Sequence, residues 1–213
     1  MNEIVSLFRG CASSHISDTL DRLPGTTHLR PMHRSGTLLG LALTVRVRSG
    51  DNLIIHKALQ HLQPGQVLVI DGDGDTRRAL VGEIMKRVAQ ARGCVGFVVD
   101  GAIRDIDTFA ADDFPCFARA VTHRGPYKNG PGEINVPVSI DGAVVNPGDI
   151  VVGDSDGVVV VSVDKAKTVA AAAHEVARKE EAVLRSITGG TYDDRWIDES
   201  LAELSLSVRV SAS

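Results

Sequence analysis

Aromatic side chains are scarce in this chain: one Trp, two Tyr and five Phe among 213 residues. A core must therefore be built mostly from Val, Ile, Leu and Ala, and stacking platforms for single-stranded nucleic acid are few. An excess of positive charge is missing too. The formal net charge is −4, whereas proteins that hold polyanions present a basic face, so no nucleic-acid partner is expected. The three cysteines, Cys11, Cys94 and Cys116, are odd in number and widely spaced, with no Cys-x-x-Cys pair for a disulfide framework or thiolate metal site. That usage suits a reducing compartment. No run approaches the roughly 18 apolar residues of a membrane span, and Met1-Asn2-Glu3 opens without the basic patch and apolar stretch of a secretory signal. A cytoplasmic protein with no membrane partner is expected. What is present is ordinary globular composition, 43% hydrophobic and 23% charged, sufficient at this length to bury a core without staples.

The pattern along the chain alternates between helix and strand periods. Ser14 to Leu23 places Ile16, Leu20 and Leu23 on one helical face, with Ser13 or Ser14 as N-cap. Gly36 to Val47 reads as a strand or a bent pair of strands, and Leu53 to Leu62 as a helix closed by the Pro64-Gly65 turn. Val67 to Ile70 and Gly93 to Asp100 are short apolar runs of the kind buried on both faces of a sheet. Between them Ile84, Met85, Val88 and Ala91 have helical spacing, which completes a βαβ unit. From Val136 to Val163 short Val-rich runs are separated by Asp141-Gly142, Pro147-Gly148 and Asp156-Gly157, all hairpin and turn signals. Lys165 to Ile187 reads as a surface helix stopped by Gly189-Gly190. The expected fold class is α/β, a single domain over residues 1–213 that mixes parallel and antiparallel strands and carries a C-terminal helical extension from about residue 165.

Several short motifs fail on physical grounds. Gly153-Asp154-Ser155-Asp156-Gly157 fits the letters of a nucleophile elbow, but a strand follows where that chemistry needs a helix, so a hairpin turn is expected. Asp71, Asp73 and Asp75 begin like a calcium loop, yet Thr76 and Gly82 stand where the loop needs Gly and Glu. They read as a solvated turn or as an acidic rim near a ligand. His174-Glu175 lacks the second histidine of a zinc helix, because Arg178 occupies that position. The seven histidines are scattered and carry no assigned role. A third glycine of a dinucleotide fingerprint is lacking after Gly72 and Gly74.

The stronger constellation lies between Gly82 and Asp107. Gly82-Glu83-Ile84-Met85 sits at a helix start, where unpartnered N–H groups and the dipole favour an anion such as a carboxylate. The strand ending at Asp100 opens into Gly101-Ala102-Ile103-Arg104-Asp105, and ligands collect beyond strand ends in α/β sheets. Arg104 offers a guanidinium fork for an oxyanion, and Asp105 a hard oxygen ligand for Mg²⁺. The bland alternative is a surface Arg-Asp pair in a turn.

These residues, with VVDGAIRDID ending at Asp107 and the run from Gly130 through Val161, resemble the RraA-like family, which includes the 4-hydroxy-4-methyl-2-oxoglutarate aldolases and their oxaloacetate decarboxylase activity. The resemblance extends from Ser14 to the helix after Asp164. It implies a swivelling β/β/α-type fold, a class II aldolase using Mg²⁺ or Mn²⁺, and homotrimers or dimers of trimers with sites between subunits. It implies that Gly82, Glu83, Ile84 and Met85 bind a pyruvyl group, that Arg104 faces the substrate and that Asp105 holds the metal. Asp18 matches an N-terminal acidic position near the metal waters. Glu83 stands where such aldolases often carry Asp. A C-terminal acid from a neighbouring subunit is also implied, with Glu180, Glu181 and Glu199 eligible.

The implied chemistry suits the residue types. A pyruvate enolate needs its charge held by a dication and a guanidinium, while a metal-associated or Glu83-positioned water takes the C4 hydroxyl proton. The same enolate forms when oxaloacetate loses CO₂. A Schiff-base route would need a lysine buried among apolar residues, and Lys57, Lys86 and Lys128 stand in polar or helical contexts. The other function that the resemblance implies is a non-catalytic regulator that binds an RNA-degradation enzyme.

Overall fold

A computed structural model describes residues 3–22 and 25–208. These divide into two compact units, one up to His174 and one from Glu175 onward, and each is described by itself.

The first unit opens with α1 (Glu3–Ser6) and α2 (Ser13–Asp18), then β1 (Arg30–Pro31) and the long β2 (Leu38–Val47). Three strand–helix alternations follow: α3 (Leu53–Leu59), β3 (Gln66–Asp71), β4 (Ala79–Val81), α4 (Glu83–Ala91), β5 (Gly96–Ile103), α5 (Ile106–Ala110) and β6 (Cys116–Val121). The β-rich part comprises β7 (Gly132–Ile134), β8 (Val138–Ile140), β9 (Ala143–Val145), β10 (Ile150–Asp154) and β11 (Gly157–Val161), before α6 (Ala166–Thr188) begins. Among the described residues one sheet runs β1-β6-β5-β3-β2-β10-β11, with β4 on β5 and β7 on β2. Strands β2, β3, β5 and β6 pair in parallel, and β1, β7, β10 and β11 pair antiparallel, which is the expected α/β mixture.

Alternation along the parallel strands fills both faces. Leu43, Val45, Leu68, Ile70, Phe97 and Val99 meet Ile55, Leu59, Met85, Ala89 and Phe109 from α3, α4 and α5. Ala42, Val67, Val69 and Val98 point the other way, onto Val138, Ile140 and Val145 of the separate β8–β9 hairpin. Burial on both faces is why these strands read as continuous apolar runs. A third cluster joins Ile16 and Phe8 to Val152, Val159 and Val161, with Val169, Ala170 and Ala173 of α6.

Local departures have local causes. Helix α2 ends at Asp18, short of the expected Leu23, which lies outside the described residues; its N-cap is Ala12, and the Asp154 carboxylate accepts from both the N–H and the hydroxyl of Ser13 at 2.7 Å. Strand β5 runs past Asp100 to Ile103, because the three-residue β4 pairs with its end. Ser155 and Asp156 form the turn of the β10–β11 hairpin, as the strand after Gly157 required. Asp75 is no solvated turn residue: its buried carboxylate accepts from Ser49 at 2.5 Å and from Arg77 at 2.8 Å.

In the second unit α6 continues to Thr188, where Gly190 takes a left-handed conformation (φ 66°), and α7 (Arg195–Glu203) follows. Among the described residues no helix is long and apolar enough to cross a membrane.

Candidate functional site

Residues 22 positions apart in sequence meet because two parallel strands end side by side. Val81 of β4 is paired with Ile103 of β5, and the Arg104 N–H donates to the Val81 carbonyl at 3.0 Å. The next residues of each strand are therefore neighbours: Gly82, which caps α4, and Arg104-Asp105, which leads into α5.

Asp105 turns the chain in a left-handed conformation (φ 58°, ψ 43°), which Asp tolerates better than most residues. Its Oδ2 accepts the Glu83 N–H at 2.9 Å, giving the start of α4 an anionic partner. Arg104 Nε lies 3.8 Å from the same oxygen, and both side chains are half-exposed. Gly82 is what lets them approach. A Cβ there would stand 2.5 Å from Asp105 Oδ2 and 2.9 Å from Arg104 Cγ, so the two side chains converge over a position that only glycine leaves open.

Arg104 of the pair borders a cleft of about 460 Å³, counted to its open mouth, lined by the strand end Ala79–Val81, Gly82, Ile84 and Met85, and closed by Arg104, Pro126 and Lys128. Its remaining wall is α3, through Asn52 and His56. Buried Asp51 holds this wall against the loop of Lys128. Its carboxylate accepts from the N–H groups of Leu53 (2.9 Å), Asn129 (2.9 Å) and Gly130 (2.7 Å) and from Arg48 (3.1 Å). Burial pushes the Asp51 pKa up, but these N–H groups and the Arg48 charge outweigh it and hold it below the ordinary range.

The sequence-derived residues fall into two groups. Gly82, Ile84, Met85 and Arg104 line the cleft, and Asp105 is bound beside it to the first-turn N–H of Glu83. Glu83 contributes its N–H, whereas its carboxylate accepts from Arg87 at 2.8 Å and lines a separate groove with Lys86 and Asp107. The i, i+4 ion pair on α4 draws it there. Asp18 is not brought to the pair within this chain: α2 packs on β10 and β11, three and four strands from β5 in sheet order, and Asp18 faces Arg22 at 3.3 Å. Lys86, read from sequence as lying in a polar or helical context, is 3% exposed. Its ammonium donates to the Thr108 carbonyl (2.5 Å) and to Asp112 (2.6 Å), so it is buried and ion-paired.

Sequence reasoning missed Asn52, His56 and Lys128. The signal was the i, i+4 spacing of Asn52 and His56, which puts both on one face at the start of α3. Asn52 is 4% exposed; its amide donates to the Leu80 carbonyl at 3.0 Å, while its Oδ1 has no partner among the described residues. Burial and the Lys128 charge lower the His56 pKa from its ordinary value.

Among the described residues no three His, Cys, Asp or Glu side chains gather as a metal cage. Asp105 nevertheless fits a dication of the Mg²⁺ kind, which takes one or two carboxylates and fills its other positions with water and ligand oxygens. Its Oδ2 is engaged by Glu83, which leaves Oδ1 for a metal. A closed zinc site, with four protein ligands, does not fit.

Known proteins share this arrangement of chain. The RraA-like family model, described as Aldolase/RraA, matches residues 13–160. A protein of Halalkalibacterium halodurans, provisionally named 4-hydroxy-4-methyl-2-oxoglutarate aldolase, is 41% identical over 187 residues, covering 87% of this chain and 89% of its own. The crystal structure of an uncharacterized protein from Pseudomonas syringae superimposes with a TM-score of 0.79 at 30% identity, over 88% of this chain and 92% of that one. The structure of the RNA-processing inhibitor RraA from Thermus thermophilus has a TM-score of 0.64 at 31% identity, over 70% of this chain and 92% of that one.

Proposed function

The chain belongs to the RraA-like family, and from that membership we propose that it is a divalent-metal-dependent aldolase that cleaves 4-hydroxy-2-oxo acids to pyruvate and also decarboxylates oxaloacetate. The observation that carries this reading is the convergence of Arg104 and Asp105 over Gly82 at the rim of a cleft. The relative's printed name supplies the substrate class, 4-hydroxy-4-methyl-2-oxoglutarate.

Breaking the bond between C3 and C4 of such a substrate leaves an electron pair on the pyruvyl half, and an unassisted enolate is too basic to form near neutral pH. The N–H groups at the start of α4 receive the substrate carboxylate. Asp105 would hold Mg²⁺ or Mn²⁺, which when bound supplies Lewis acidity toward the 2-oxo and carboxylate oxygens. Arg104 donates to the oxygen on which negative charge grows, a role that a fixed guanidinium fork serves better than an ammonium. The Glu83 N–H keeps the Asp105 carboxylate turned toward the rim.

Lys86 does not offer a covalent route. Its ammonium is tied to Asp112 and the Thr108 carbonyl, away from the cleft. The protein is further proposed to assemble as a homotrimer or a dimer of trimers. The remoteness of Asp18 supports a site completed by a neighbouring subunit. Likeness to the Thermus inhibitor favours a second reading, a protein-binding regulator without catalysis.

One assay separates the two. Purified protein with Mg²⁺ should release pyruvate from 4-hydroxy-4-methyl-2-oxoglutarate and from oxaloacetate, and excess EDTA should abolish both rates. Equal rates with and without chelator would remove the metal from the mechanism, and no pyruvate from either substrate would leave the regulatory reading.

A further inference from the structure

We propose that His56 is the general base that takes the hydroxyl proton when a 4-hydroxy-2-oxo acid is cleaved, an inference that rests on the aldolase reading above. Three observations place it there. His56 lines the same cleft as Arg104, on the wall formed by α3. Its ring nitrogens have no hydrogen-bond partner among the described residues, although the other cleft-lining polar side chain of that wall, Asn52, is tied to the Leu80 carbonyl. Asn52 Oδ1 is itself a buried acceptor without a donor. Asn52 Oδ1, buried on the helix face that also carries His56, calls for a ligand that brings a hydrogen-bond donor. A hydroxylated 2-oxo acid does so; oxaloacetate in its keto form does not.

The charges nearby suit the role. Burial and the charge of Lys128, which lines the same cleft, disfavour a positive charge on the His56 imidazole and favour the neutral ring with its lone pair. Of the nearby carboxylates, that of Glu83 pairs with Arg87, and that of Asp105, its Oδ2 held by the Glu83 N–H, is the one assigned to the metal.

The step balances as follows. The lone pair of His56 accepts the C4 hydroxyl proton; the O–H electron pair becomes the second bond of a C4 carbonyl; the C3–C4 bond breaks and its pair becomes the enolate of pyruvate. Water then protonates C3, and the imidazolium returns its proton to the hydroxide so formed. Decarboxylation of oxaloacetate reaches the same enolate by losing CO₂ and has no hydroxyl proton to move.

That difference gives the test. In His56→Gln, with Mg²⁺ present, kcat for 4-hydroxy-4-methyl-2-oxoglutarate should fall by about 10²- to 10⁴-fold, while kcat for oxaloacetate stays within about threefold of wild type. Calorimetric binding of oxalate, a planar stand-in for the enolate, should be retained, which shows that the receiving half of the cleft is intact. His56→Asn serves if Gln disturbs α3. A ratio of the two activities unchanged from wild type, whether both fall or neither does, overturns the assignment. Wild-type protein that releases pyruvate from neither substrate overturns the aldolase reading itself and takes His56 with it.

Discussion

Gly82 illustrates how much one missing side chain decides. Its backbone is ordinary extended chain (φ −155°), so the requirement for glycine is one of space. The atoms a methyl group would meet first are Asp105 Oδ2 and Arg104 Cγ, both in half-exposed side chains that can shift aside. Gly82→Ala should therefore fold with a stability loss of only about 1–3 kcal/mol, the usual cost of overpacking. Its activity should fall about 100-fold or more, because displacements near 1 Å in a reacting constellation cost that much. Thermal melting and pyruvate release on the same sample check this. Wild-type kcat in Gly82→Ala would mean that the position of the pair is not critical. Arg104 and Asp105 were legible as residue types, since a guanidinium and a carboxylate beyond a buried strand advertise an oxyanion and a dication. His56 was not, because a lone histidine is identified only by what surrounds it.

At the scale of elements, α4 and α5 must keep their starts together, and Lys86 clamps them. It reaches from the buried face of α4 to the Thr108 carbonyl and Asp112, with its ammonium 5.0 Å from the centre of the Phe109 ring. Lys86→Met keeps most of the volume and removes the clamp. Because Asp112 is half-exposed and rehydrates, the expected loss is about 1–3 kcal/mol, below the 3–5 kcal/mol of a buried pair broken on one side. Urea unfolding measures it, and a variant as stable as wild type would show that packing alone joins the two helices. The helix–strand alternation from Leu53 to Asp100 was readable because apolar periods of 3.6 and 2 are local properties. Strand β4 was not: three residues carry no period, and Ala79–Val81 becomes a strand only through pairing with β5.

Across the first unit, a polar network ties the β8–β9 hairpin to the sheet. Asp141, in the turn of that hairpin, accepts from the N–H groups of Thr27 (2.5 Å) and His28 (2.7 Å) and from Arg119 (2.9 Å), which also pairs with Asp100. Burial pushes the Asp141 pKa up, but the His28 and Thr27 bonds and the Arg119 charge reverse this and hold it well below the usual carboxylate range. A depressed folded-state pKa gives stability that is complete above the unfolded value of about 3.9 and is lost as pH falls toward the folded one. Asp51 acts in the same direction. Urea midpoints should therefore be level near pH 6 and decline below about pH 4, and Asp141→Asn should be less stable at pH 7 with a shallower decline. An equal acid slope in the variant would place the acid sensitivity elsewhere. What the amino-acid order determined by itself is the set of local propensities: which runs are strands or helices, and where the turns fall. Only tertiary structure decided which residues share a cleft. Adjacency of Gly82 with Arg104, entry of His56 and exclusion of Asp18 all follow from strand pairing and helix packing between distant segments, and no window of sequence contains that information.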